Sequence, residues 1–76
     1  MKANELQDII LRRIIRLRGG TARHWRGVIG PIRIYDPETH AHCNWSVSPS
    51  GEPREVLQVE TLLDALRLEH PIVEAG

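Results

Sequence analysis

The sequence predicts a small α+β protein in the order α-β-β-α, an antiparallel hairpin packed against two helices. Three observations carry this expectation. An apolar stripe at helical spacing lies near the N-terminus, a two-residue alternation occupies the middle, and helical spacing returns after Pro53.

Residues 4–18 (NELQDIILRRIIRLR) read as the first helix, with Asn4 as N-cap, Glu5 and Asp8 in the first turns and Arg16 and Arg18 in the last. Gly19-Gly20 then supplies residues free to take a positive φ. Leu6, Ile10, Ile14 and Leu17 form the core stripe, and Ile9, Leu11 and Ile15 widen it beyond the roughly 100° arc that a surface helix needs. Residues 26–35 (RGVIGPIRIY) are rich in β-branched side chains and predict a strand, interrupted or bulged at Gly30-Pro31. Asp36-Pro37-Glu38-Thr39 supplies the turn.

Residues 41–48 alternate cleanly, Ala41, Cys43, Trp45 and Val47 facing a core and His40, His42, Asn44, Ser46 and Ser48 facing outward. Ser48-Pro49-Ser50-Gly51 closes this strand. From Pro53 to His70 the spacing of Val56, Val59, Leu62, Leu63 and Leu66 predicts the last helix, ended by Pro71. A second reading makes residues 55–59 a third strand, giving α-β-β-β-α and a meander in place of the hairpin.

The 76 residues suffice for one domain, spanning 1–76, whose own core is marginal. Cys43 is the only cysteine and no CxxC pair exists, so neither a disulfide nor a structural zinc is expected to reinforce it. Association with a second chain is the expected substitute. Apolar runs reach only three residues, as at Ile9–Leu11, and charges interrupt any leader-like stretch. With a lone cysteine, these features predict a cytoplasmic protein without a membrane partner. The basic amphipathic helix would suit an anionic bilayer in isolation, but its isoleucines are needed by the core.

Net charge is zero, yet residues 1–36 carry eight basic and three acidic side chains, a balance of +5, and residues 37–76 carry two and seven, a balance of −5. Seven arginines and no acid lie between Asp8 and Asp36. Two readings follow. The acidic C-terminal half pairs with the basic half, within a chain or across a dimer, or the arginines form a phosphate-binding surface with Trp25 and Tyr35 as stacking groups. A neutral total favours the first.

The α-β-β-β-α reading resembles double-stranded RNA-binding domains, with Gly30-Pro31 about where those carry a glycine-proline turn. The resemblance would imply binding to duplex RNA. At the start of the last helix, however, Glu52-Pro53-Arg54-Glu55 stands in place of that family's lysine cluster, so its main phosphate-binding element is missing.

His40-Ala41-His42-Cys43 is the most metal-like string, but on a strand only His40 and His42 share a face, so no metal or cofactor is expected. Nor is catalysis: no G-x-S-x-G, phosphate-binding glycine loop or placed carboxylate pair is present, and Cys43 faces inward. Trp25 reads either as an exposed hot spot among arginines or as a lid over the core. The candidate contact residues are thus Arg12, Arg16, Arg23, Trp25, Arg26, Arg33, Tyr35, His40, His42 and Asn44. The expected function is a non-enzymatic interaction module, homodimeric through the first helix and an edge strand or bound to another protein. The alternative is a nucleic-acid-binding regulator using the arginines of residues 12–33.

Overall fold

The computed structural model describes residues 1–75. The first helix, α1, runs Ala3–Arg18. A second helix, α2, spans Ala22–Ile29, followed by the short strands β1, Arg33–Ile34, and β2, Trp45–Ser46, and by the helix α3, Pro53–Glu69. The strands pair antiparallel, Arg33 opposite Ser46 and Ile34 opposite Trp45. The α+β class and the α-β-β-α framework are those expected from the sequence, with α2 added between α1 and the hairpin. Residues 55–59 are helical, so the third strand does not form and the resemblance to double-stranded RNA-binding domains loses its topological basis.

Residues 26–29, expected to be extended, belong to α2. Their β-branched side chains are overridden by a strong local start signal: the Thr21 hydroxyl accepts the His24 N–H at 3.1 Å, an N-cap bond that satisfies one donor of the first turn. Trp25, Val28 and Ile29 then fall on one face and are buried. At the other end Gly30 takes φ 69°, its N–H bonds Arg26 O at 2.9 Å, and Pro31 prevents continuation. Gly30-Pro31 is a helix stop, not a break within a strand.

The turn between α1 and α2 depends on glycine. Gly20 has φ 87°, and a Cβ there would stand 3.1 Å from Trp25 Nε1. The indole N–H donates to Gly19 O at 2.8 Å, so Trp25 closes back onto the turn that precedes its own helix. At 3% exposure Trp25 is the lid of the core and has no ring face left for a partner.

Two further placements differ from the sequence reading. α1 begins one residue early, so Asn4 lies inside the first turn, where its Oδ1 accepts Glu5 N–H, and Lys2 stands at the cap. Leu17 is 67% exposed, because α1 ends before any element can cover that side. The core comprises Leu6, Ile10, Leu11 and Ile14 of α1, the three buried residues of α2, Trp45 and Val47 from the hairpin side, Val59, Leu62, Leu63 and Leu66 of α3, and Val73. Ile9 and Ile15 pack partly against it. The apolar surplus of α1 is thereby largely covered within the chain, by a helix that the strand reading had removed.

Asn44 is the largest departure. It was expected on the solvent face, yet it is 1% exposed. Its Nδ2 donates to Tyr35 O at 3.1 Å and Val73 O at 2.8 Å, and its Oδ1 accepts Val73 N–H at 2.8 Å. Its backbone N–H reaches Pro71 O at 3.0 Å, and its carbonyl accepts Tyr35 N–H at 2.7 Å. Because only two residues of each strand pair, the alternation of 41–48 breaks outside them: Ala41 is exposed and Cys43 half-buried.

The segment after α3 completes the assembly. Trp45 Nε1 donates to His70 O at 2.8 Å, and the Arg67 guanidinium lies 5.6 Å from the centre of the Trp45 ring. Glu74 N–H bonds Met1 O and Ala3 N–H bonds Glu74 O, both at 2.8 Å, so residues 71–74 tie the hairpin to the start of α1.

Replacing Asn44 by alanine leaves buried backbone groups of Val73 and Tyr35 without partners and lowers unfolding free energy by about 3 kcal/mol; urea denaturation monitored by Trp fluorescence measures this. Gly20→Ala combines a positive φ with the close approach of Trp25 and destabilises by about 1–2 kcal/mol in the same assay.

Candidate interaction surfaces

Amphipathic helices that share one core point their charges outward. On α1, Arg12 and Arg16 lie one turn apart on the side away from the Leu6–Ile10–Ile14 stripe, with Asp8 and Ile9 a turn before Arg12. Arg12, Arg13, Arg16 and Ile9 line a shallow depression on this face. The Arg12 Nε–H is directed at Asp8 O at 3.4 Å, a long contact. Arg13 sits at the flank of the apolar stripe and reaches α3, where it forms a bidentate pair with Glu69, Nη1 to Oε2 at 2.7 Å and Nη2 to Oε1 at 2.9 Å. These hydrogen bonds from Arg13 hold the Glu69 carboxyl below the usual glutamate range.

α2 turns Arg23 and Arg26 to solvent. His24 between them is in hydrogen-bond contact with Glu55 at the start of α3 and meets the Trp25 ring edge-on. Among the described residues no carboxylate pairs with Arg12, Arg16, Arg18, Arg23, Arg26 or Arg33, all of them exposed. Within the chain, charge pairing between the basic and acidic halves is therefore confined to Arg13 with Glu69 among the described residues.

The hairpin gathers a smaller polar group. The Tyr35 hydroxyl lies 3.1 Å from Ser46 Oγ across the strand pair, and the Tyr35 ring stacks on His40 with centroids 4.5 Å apart and planes at 19°. His40 Nδ1 is 2.9 Å from Thr39 Oγ1. Arg33 and His42 are also exposed. Among the described residues no cluster of three His, Cys, Asp or Glu side chains could hold a metal ion. Of the ten contact candidates, Trp25 and Asn44 are consumed by the core, and the other eight lie at the surface on α1, α2, β1 and the connection between β1 and β2.

A surface the sequence reading missed is apolar. Leu57 is 65% and Leu68 87% exposed, on the side of α3 facing away from the core. With the 67% exposed Leu17, Leu57 borders a groove of 480 Å³ between the end of α1 and α3, floored by Leu62 and Ala65 and flanked by Arg18 and Arg54. The signal was present in the spacing. At about 100° per residue, Leu57 and Leu68 fall nearly opposite the Val59–Leu63–Leu66 stripe. No helix of the described residues is long and apolar enough to cross a membrane.

The Arg13–Glu69 pair makes a pH-specific prediction. Because the Glu69 pKa is depressed in the folded chain, the pair contributes above the unfolded glutamate pKa, and that contribution is lost as pH falls through the folded value. An NMR titration finds the Glu69 carboxyl titrating below an ordinary glutamate, and Arg13→Gln returns it to the ordinary range. Comparison of the chain with protein-family models, with curated proteins and with solved structures finds no match.

Proposed function

We propose that this chain is a small non-enzymatic interaction module of the cytoplasm that works as a homodimer, with the outer face of α3 and Leu17 as its contact surface. The observation that carries this reading is the exposed Leu57 and Leu17 beside an open groove, with Leu68 exposed further along the same face of α3, in a domain whose own core is small. α1 contributes only its last turn, and the hairpin, with two paired residues per strand, is too short to add an edge-strand contact.

A second copy suits this surface in shape. The outer face of α3 begins with Arg54, continues through Leu57 and Thr61, and passes Asp64 before ending at Leu68. Two such helices packed antiparallel across a two-fold axis near Thr61 set Arg54 of each opposite Leu68 of the other. Leu57 then faces the small Ala65, and Leu68 enters the groove beside Leu57. Thr61 and Ala65 permit close approach of the two helices. A standard interface removes about 800 Å² from each partner. That is close to a sixth of this chain's 5073 Å², within reach of a helix about 25 Å long with its neighbours. The contact is isologous, so it closes at two chains.

Size-exclusion chromatography with light scattering at micromolar concentration reads this directly. The expected mass is twice that of the chain. Leu57→Glu and Leu68→Glu each give a monomer with an unchanged circular dichroism spectrum, since neither side chain supports the fold. A wild-type monomer, or larger species that dissociate with salt, would overturn the reading, the latter because it signals basic-on-acidic stacking.

A further inference from the structure

We infer that the exposed arginines of α1, α2 and β1 bind the phosphate backbone of duplex nucleic acid, without reading its sequence. The inference does not rest on the homodimer: apart from Arg18, which flanks the groove beside Leu57, its residues lie on the outer faces of α1 and α2 and on β1, whereas Leu57 and Leu68 are on α3.

Six guanidinium groups, those of Arg12, Arg16, Arg18, Arg23, Arg26 and Arg33, come from a stretch of chain without a single acid and have no carboxylate partner among the described residues. An arginine is always charged and presents a planar fork of donors suited to phosphate oxygens. The two acids that do approach this region from α3 are already engaged, Glu69 by Arg13 and Glu55 by His24. Neutral total charge therefore does not neutralise this surface locally.

The distribution of the six groups selects the class of ligand. The α1 depression gathers Arg12 and Arg16 with the already paired Arg13, while Arg23 and Arg26 project from a second helix and Arg33 from the hairpin. A small anion engages one of these groups at a time. A polyanion with regularly repeated charge engages several, and the release of its condensed counterions drives binding.

The aromatic side chains decide between single strand and duplex. Sequence-tolerant binding of single strands relies on exposed rings on which bases stack. Trp25 is buried with its N–H bonded to Gly19 O, and Tyr35 is already stacked on His40. What remains is fixed positive charge, the part of recognition that holds a duplex by its backbone and carries no sequence information.

Fluorescence anisotropy with short duplex DNAs of two unrelated sequences, titrated from low to physiological salt, tests the inference. Both duplexes are expected to bind equally, with affinity falling linearly on a log–log plot, and a single strand of the same length to bind more weakly. Arg12→Gln, Arg16→Gln, Arg23→Gln and Arg26→Gln combined should weaken low-salt binding at least tenfold and flatten the slope by roughly 0.9 per lost phosphate contact. The same four positions changed to lysine retain most of the binding. No binding at low salt, tighter binding of the single strand, or a lysine variant as impaired as the glutamine variant would each overturn the inference. Circular dichroism of both variants must match wild type, as expected for exposed side chains. If it does not, the paired variants R12Q/R16Q and R23Q/R26Q, read separately on the same duplex, decide the matter by their salt slopes.

Discussion

Asn44 occupies the position on which the other elements converge. A buried side-chain amide is tolerated only when its donors and acceptor are matched, and here both Nδ2 hydrogens and Oδ1 find backbone partners. The side chain acts as a substitute strand: it presents to Val73 the donor and acceptor that a neighbouring backbone would offer. Through it the C-terminal segment is held against the hairpin, and through Glu74 that segment reaches the start of α1. A two-residue strand pair has little stability of its own. The hairpin is kept in place by this amide and by Trp45, whose ring packs in the core while its N–H bonds the end of α3.

The same residue marks where the sequence stops being legible. Period-two alternation assigned Asn44 to the solvent side, since nothing local announces that Val73, 29 positions away, supplies its partner. The helices behave differently, because their signals are local. The Leu6–Ile10–Ile14 and Val59–Leu63–Leu66 stripes are intrinsic to short windows, and Pro53 and Pro71 bound α3 closely. α2 falls between these cases. Its cap at Thr21 and its i, i+3, i+4 spacing at Trp25, Val28 and Ile29 were visible, but the β-branched run through Ile34 competed with them. Tertiary context decided, because α1 carried an apolar surplus that only a packed helix could cover.

Legibility of the candidate surfaces divides in the same way. Their residue types could be read from composition, whereas their availability depended on depth. Two aromatic groups beside arginines looked alike in sequence, yet one seals the core and the other lies at the surface. Leu57 and Leu68 fall outside the stripe of Val56, Val59, Leu62, Leu63 and Leu66, and their angular position sets them on the exposed side.

The opposed charges of the two halves illustrate why arithmetic alone misleads. A balance of +5 against −5 suggests that the halves neutralise each other. Yet α1 and α3 meet through apolar faces, and amphipathicity places the charges of each helix on its far side. Only positions at the edge of the shared interface can meet across it, as Arg13 does with Glu69; His24 of α2 is in hydrogen-bond contact with Glu55 at another edge. Asp64 pairs with Arg67 of its own helix, and neither Arg12 nor Arg16 has a carboxylate partner among the described residues. The packing that buries the core thus keeps the opposite charges apart. It leaves the unpaired arginines of α1, α2 and β1, and Leu57 and Leu68 of α3, at the surface of a chain with no net charge.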